Sequence, residues 1–162
     1  MRPLLKTYAL HGTTARSSCR VGTGTGHTIL TDLPKAMGGS DQAAQPVELL
    51  LAALLGCKSA TAHYVAQHLW RRPHNRIEQI EWIDVVAHRD DRGATSLPIT
   101  SSPPVGAGLI RVSGVASVQP RGPVSHEDVQ ALGALVEARC PVAVMFAAAG
   151  CEMNFEWRLR EG

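Results

Sequence analysis

From Leu49 the chain reads Leu49-Leu50-Leu51-Ala52-Ala53-Leu54-Leu55-Gly56-Cys57, a run that is apolar on every side when wound into a helix. A helix at a protein surface shows one apolar stripe, so this one is expected to be buried all round. The helix is predicted over Pro46 to Trp70. Proline suits the first helical position, where a missing N–H costs nothing, and Glu48 adds a carboxylate to the first turn, where the helix dipole favours it. Ala52, Gly56 and Ala60 recur every fourth residue as a ridge of small side chains that permits close approach by another helix. The second half, with His63, Gln67 and His68, turns amphipathic. Arg71-Arg72-Pro73 supplies the cations and the proline that end a helix.

The elements around this helix are shorter. Lys6–Leu10, Thr14–Val21 and His27–Thr31 read as strands, with Gly22-Thr23-Gly24-Thr25-Gly26 as a hairpin turn between the last two. That glycine run is not a phosphate loop, since no helix follows it and no Lys-Ser/Thr pair closes it. After the helix, Ile77–His88 and Leu109–Val118 are strand candidates. In the first, Ile77, Gln79, Glu81, Ile83 and Val85 would share one face, an imperfect alternation. Asp90–Gly108, rich in Gly, Pro and Ser, reads as a connecting loop. Ser125 and Asp128 form a near capping box for a helix reaching Ala138, and Val142–Ala149 suggests a further short helix. The chain ends on the clearest strand, Cys151–Arg160, in which Cys151, Met153, Phe155, Trp157 and Leu159 alternate with Glu152, Asn154, Glu156, Arg158 and Arg160. Strands, buried helix, strands, helices and strand, with no repeat and no linker, point to a single α+β domain over 1–162, its helices on one side of an antiparallel sheet.

Composition narrows the function. The 162 residues carry a net charge of only +2, which gives no reason to expect nucleic-acid binding. The apolar stretch Leu49–Leu55 is far shorter than the roughly 20 residues that cross a bilayer, so no membrane span is expected. Met1-Arg2-Pro3-Leu4-Leu5-Lys6 lacks the apolar core of a signal peptide. A cytoplasmic location is expected, and there a cysteine pair is more often catalytic, redox-active or metal-binding than a structural disulfide. The four cysteines, Cys19, Cys57, Cys140 and Cys151, form no CxxC pair. Neither a zinc site nor any other metal or cofactor is expected.

Cys57 lies in the buried helix, where a thiol packs as a small hydrophobe or reacts; its neighbour Lys58 points about 100° away. Cys140 precedes Pro141 and so becomes the N-cap of the short helix, where backbone N–H groups favour a thiolate; Arg139 adds a cation. An inert cap and a reactive thiol both fit this position, although local electrostatics alone make Cys140 the more acidic cysteine. Cys19 and Cys151 fall in strands and read as structural.

The segments Gly26-His27-Thr28-Ile29-Leu30-Thr31-Asp32-Leu33-Pro34, Gly38-Gly39-Ser40-Asp41 and Pro46-Val47-Glu48-Leu49-Leu50-Leu51-Ala52-Ala53-Leu54-Leu55-Gly56-Cys57, with Cys140-Pro141-Val142 after a helix, resemble the OsmC/Ohr family of osmotically inducible protein C and the organic hydroperoxide resistance proteins. The resemblance implies a two-layer α+β fold built as an intertwined homodimer, in which the long cysteine helix is buried between two sheets. It implies a thiol peroxidase that reduces organic hydroperoxides and responds to oxidative stress. Cys57 would be the peroxidatic cysteine and Cys140 the resolving one, with a lipoyl-type dithiol restoring both. The family's peroxidases hold the first thiolate with an arginine from the N-terminal strands, for which Arg16 and Arg20 are the candidates. They also carry Glu directly after the helix-opening proline. Here that position is Val47. Glu48, one residue on, is a candidate carboxylate, but nine residues of helix place it opposite Cys57, which suits a first-turn residue better than a catalytic one. A family member without that carboxylate could instead be a redox-sensing or small-molecule-binding dimer with little or no turnover.

Overall fold

A computed structural model describes residues 4–70 and 76–160. The expected Arg71-Arg72-Pro73 helix stop lies outside the described residues. The chain forms two compact units, one ending at Ala53 and one beginning at Leu54.

The first unit is an antiparallel meander of β1 (Leu10–Ala15), β2 (Ser18–Thr23) and β3 (Thr28–Thr31). The glycine-rich run forms the β2–β3 turn as expected, with Thr23 N–H donating to the His27 carbonyl at 2.9 Å and Gly26 at φ +88°. The other two boundaries differ from expectation. Lys6–Leu10 is not a strand, since β1 starts only at Leu10. Thr14–Val21 is a hairpin rather than one strand: Arg16 takes φ +56°, the chain reverses, and Ala15 pairs with Ser18. A left-handed arginine leaves no signature in a run otherwise suited to a strand.

One carboxylate organises the loop after β3. Asp32 is buried and accepts from Ser17 Oγ at 2.8 Å, Leu33 N–H at 2.8 Å, Ser40 N–H at 3.1 Å and Gln42 N–H at 3.2 Å. It thereby ties the β1–β2 turn to the loop that leads into the long helix. The Ser17 hydroxyl, helped by the three backbone donors and opposed by burial, holds the Asp32 carboxyl down at about 2.

Helix α1 runs Pro46–Leu69. At 24 residues it is long and apolar enough to cross a membrane by length and composition, which the short Leu49–Leu55 run alone is not. The core helix of a soluble protein passes the same test. Burial within the chain follows one stripe, Leu54, Lys58, Ala62, Val65 and Ala66, at the spacing of one helix face. The expected all-round burial is therefore not met by this chain alone. Leu50 is 46% exposed, Tyr64 61% exposed, and a Cβ on Gly56 would meet nothing within 4 Å. Ala52, Gly56 and Ala60 on the small-residue ridge are all exposed.

The second unit adds β4 (Arg76–Arg89), α2 (Arg92–Thr95), β5 (Leu109–Arg121), α3 (His126–Arg139), α4 (Pro141–Ala148) and β6 (Glu152–Leu159). Its sheet has the order β4-β5-β6. The β4–β5 pair is antiparallel but β5–β6 is parallel, a correction to the expected antiparallel sheet. The cause is the connection: α3 and α4 carry the chain back across the sheet, and such a crossover delivers a parallel strand. Register shifts between Ile77 and Gln79, and between Ile83 and Val86, explain the imperfect alternation of β4. Each shift returns the next apolar residues to the face that Ile77 occupies, so Ile80, Trp82 and Val85 follow it rather than Gln79 and Glu81. Asp84 takes φ +49° at the second shift, and Gly114 lies against it; a Cβ there would stand 2.9 Å from Val85 Cγ2.

The apolar face of the sheet is built on small residues beneath rings. Ala116 stands between Trp82 and Trp157 in the register, and the two indoles meet edge to face at 5.6 Å. Helix α3 covers Trp157 through Gly133, where a Cβ would lie 2.5 Å from the indole. Its Ser125–Asp128 capping box forms as expected, each side chain meeting the other's backbone N–H, a pairing worth about 1 kcal/mol.

Two outcomes test these assignments. The folded-state carboxyl of Asp32 lies below its ordinary 3.8, so it stabilises the fold above that pH, and the contribution is lost as pH falls from 3.8 through about 2. Asp32→Asn should lower the melting temperature at neutral pH and flatten the acid limb in that window; an acid limb identical to wild type would contradict the hub role. Gly133→Ala, despite alanine's better helix propensity, should lose about 1–3 kcal/mol in thermal unfolding because the indole cannot move aside.

Candidate active site

Two cysteines are brought together. Cys57 sits on α1, half-buried and one residue short of the buried Lys58 on the helix's packed stripe. Cys140 is fully buried where α3 ends and α4 begins. Its own N–H still closes α3 by donating to the Val136 carbonyl at 2.8 Å, while its extended backbone and Pro141 start α4. Cys140 Sγ accepts from Ala143 N–H at 3.5 Å, the N-cap role expected of it. The Cys57 side chain neighbours the Cys140 thiol closely enough to raise its proton affinity.

The acidity expected of Cys140 from that cap does not follow. Burial pushes its thiol above the ordinary value; the Ala143 N–H pulls the other way, and the neighbouring Cys57 side chain raises it again. The helix terminus favours a thiolate, but taking a charge out of water outweighs it here. Burial and the Glu152 carboxylate likewise raise the Cys151 thiol, which lies buried just before β6. Cys19 is half-buried in β2, paired across the sheet with Thr14 and Thr31. All four cysteines are free thiols.

Beside the thiol pair lies an arrangement that the sequence does not announce. The Lys58 side chain is wholly buried, its ammonium paired with the Glu137 carboxylate of α3 and standing 4.2 Å from the centre of the Phe155 ring. Ser59 Oγ accepts from Trp82 Nε1 at 3.0 Å, and Trp82 meets Phe155 edge to face at 5.6 Å. Lys58 draws no notice from its angle to Cys57; the useful signal is a lysine inside an all-apolar helix, which demands a buried anion. Sequence alone cannot say which of several carboxylates answers it.

The remaining candidates lie elsewhere. Glu48 is exposed, and its carboxylate accepts from Gln45 N–H at 2.8 Å, closing the first turn of α1. Val47 precedes it, 38% exposed. Arg16 forms the β1–β2 turn and Arg20 lies in the central strand of the meander. Both are exposed, and among the described residues neither has an ion-pair partner. Arg20 and Cys19 line a crevice of about 340 Å³ on that first unit. In the second unit Tyr64, His68, Leu135 and Arg139 line another, of about 350 Å³, next to Cys140 in sequence. Among the described residues no group of three or more His, Cys, Asp or Glu side chains is placed to hold a metal ion. Chemically, the site offers two neighbouring free thiols.

Comparison with known proteins agrees with this architecture. Solved structures with the same fold include an OsmC-like protein from Mycoplasma pneumoniae, with TM-score 0.73 and 19% identity over 96% of this chain and 99% of that one. An organic hydroperoxide resistance protein OsmC from Legionella pneumophila matches with TM-score 0.65 and 18% identity, over 95% and 99% of the two chains. The organic hydroperoxide resistance protein OhrB of Bacillus subtilis matches with TM-score 0.61 and 17% identity, over 96% and 98%. No curated protein matches the sequence. The model of the OsmC-like protein family matches residues 39–156, a span that contains both Cys57 and Cys140, and the chain belongs to that family.

Proposed function

We propose that this protein is a cytoplasmic thiol peroxidase that reduces organic hydroperoxides through Cys57 and Cys140, in the setting of an oxidative stress response. The observation that carries the reading is the pairing of the two thiols, one on α1 and one at the α3–α4 junction, in a fold shared with organic hydroperoxide resistance proteins. The Cys57 thiolate attacks the O–O bond, takes one oxygen as a sulfenic acid and releases the alcohol. The Cys140 sulfur then attacks the sulfenic sulfur, expelling water and leaving a disulfide. A lipoyl-type dithiol reduces that disulfide by exchange, so each cycle moves two electrons from dithiol to hydroperoxide. The half-buried Cys57 suits the first role because peroxide must reach it. The buried Cys140, whose thiol is raised by burial, must give up its proton before it attacks in the second.

The functional unit is proposed to be a homodimer. The open ridge of Ala52, Gly56 and Ala60 and the exposed Leu50 and Tyr64 give a second copy an apolar face to cover. In the family's peroxidases an N-terminal arginine supports the thiolate, and Arg16 and Arg20, which have no ion-pair partner among the described residues, are the candidates for that task.

One observation favours a second reading, a redox-sensing or ligand-binding dimer with little turnover. Val47 stands where the family's peroxidases have Glu, and the Glu48 carboxylate is engaged in closing the helix turn. Rate decides between the two readings. A slow single turnover would favour the sensor, whereas sustained turnover with a dithiol would favour the enzyme.

Reduced protein mixed with cumene hydroperoxide should consume one equivalent. Cys57→Ser should abolish consumption, and Cys140→Ser should leave a sulfenic acid that dimedone traps. Because the Cys140 thiol is raised, closure of the disulfide should quicken as pH rises from about 7 to about 9. Undiminished consumption by Cys57→Ser would overturn the proposal.

A further inference from the structure

We propose that Lys58 and Glu137 are positioning residues that set the alignment of the Cys57 and Cys140 thiols. The inference rests on the reading that these two cysteines close to a disulfide, and it adds what holds them in register. Among the described residues, every hydrogen bond or ion pair from α1 to the other elements of the second unit comes from one short stretch. Lys58 meets Glu137 and Ser59 meets Trp82, both next to Cys57, which neighbours Cys140. The rest of the packed stripe, Leu54, Ala62, Val65 and Ala66, is apolar and tolerates sliding and rotation, because apolar contact is not directional. Alignment of two sulfurs for in-line attack needs a directional restraint, and the ion pair provides one. Lys58 adjoins Cys57 on α1, and Glu137 lies three residues before Cys140, in the last turn of α3. The pair thus links the two segments that carry the thiols, one residue from the first sulfur and one helical turn from the second.

The ammonium has little freedom to leave. It is wholly buried, stands over the Phe155 ring, and Phe155 is itself braced by Trp82, which Ser59 anchors. An apolar pair of similar bulk would fill the space but leave the Trp82–Ser59 hydrogen bond as the remaining directional restraint on α1. Lys58 and Glu137 make no contact with the oxygen being transferred; they act through the placement of Cys57 and Cys140.

The test uses thiol–disulfide exchange and needs no peroxide. The full-length protein is equilibrated with mixtures of reduced and oxidised dithiothreitol, quenched by alkylation and weighed. Closing the protein disulfide passes two electrons and two protons to oxidised dithiothreitol, so the equilibrium constant reads how well the two thiols are aligned. Lys58→Met combined with Glu137→Leu removes both charges together and avoids stranding either one. This double variant should keep the wild-type near-ultraviolet spectrum while its disulfide equilibrium constant falls by about tenfold or more. Glu137→Gln retains an acceptor for Lys58 and should fall less; it decides the matter if the double variant does not fold.

A further comparison separates alignment from charge. In a Cys140→Ser background, the pH profile of Cys57 alkylation should be the same with and without the double change. An unchanged equilibrium constant in a folded variant would overturn the inference, and so would an alkylation profile that shifts enough to account for the whole effect. Wild type that forms the disulfide but does not reduce hydroperoxide would overturn the proposed peroxidase and leave this inference standing. Absence of a Cys57–Cys140 disulfide in oxidised wild type would overturn both.

Discussion

A lysine ammonium wholly buried among apolar side chains and rings is costly unless an anion meets it, and in this protein Glu137 meets Lys58. Much of the second unit's arrangement can be read from that requirement. Glu137 must lie on α3 within reach of α1. Phe155 must turn its face to the ammonium, Trp82 braces Phe155, and Ser59 accepts from Trp82. Removing one partner of such a pair typically costs about 3–5 kcal/mol, whereas replacing both with apolar groups is often neutral or stabilising. The pair is thus better understood as a source of specific placement than of stability. What it places is the helix that carries Cys57.

The sheet beneath is shaped to accept that placement. Ala116 on β5 stands between Trp82 and Trp157, Gly114 leaves room for Val85, and the register shifts in β4 keep its apolar side chains on the packed face. Gly133 lets α3 settle on Trp157, which brings the end of α3, and with it Cys140, to the right depth. Cys140 then serves three purposes with one residue. It closes α3, caps α4 and offers its sulfur to Cys57. The buried, protonated state of that sulfur follows from depth rather than from its place at a helix terminus.

Local signals made much of this fold legible in the sequence. Pro46, the Ser125–Asp128 box, the glycine turn before β3 and the alternation of β6 each act within a few residues, and each appears where the sequence predicts it. What the sequence concealed depended on partners far away in the chain. Arg16 turns left-handed inside an apparent strand, and β6 runs parallel because of the crossover that precedes it. The all-round apolarity of α1 promised complete burial, yet the chain buries one stripe of it. The cysteines were visible as candidates, but Lys58 and Glu137 were not, since an ion pair spanning α1 and α3 leaves no mark in either segment.

The central claim is that Cys57 and Cys140 form one redox couple. Peptide mapping of protein oxidised by an organic hydroperoxide, digested without reduction, addresses it most directly. The expected result is a single linkage joining the peptide of Cys57 to that of Cys140, with Cys19 and Cys151 recovered as free thiols. A linkage through Cys19 or Cys151, or oxidised protein in which Cys57 and Cys140 remain unlinked, would contradict it.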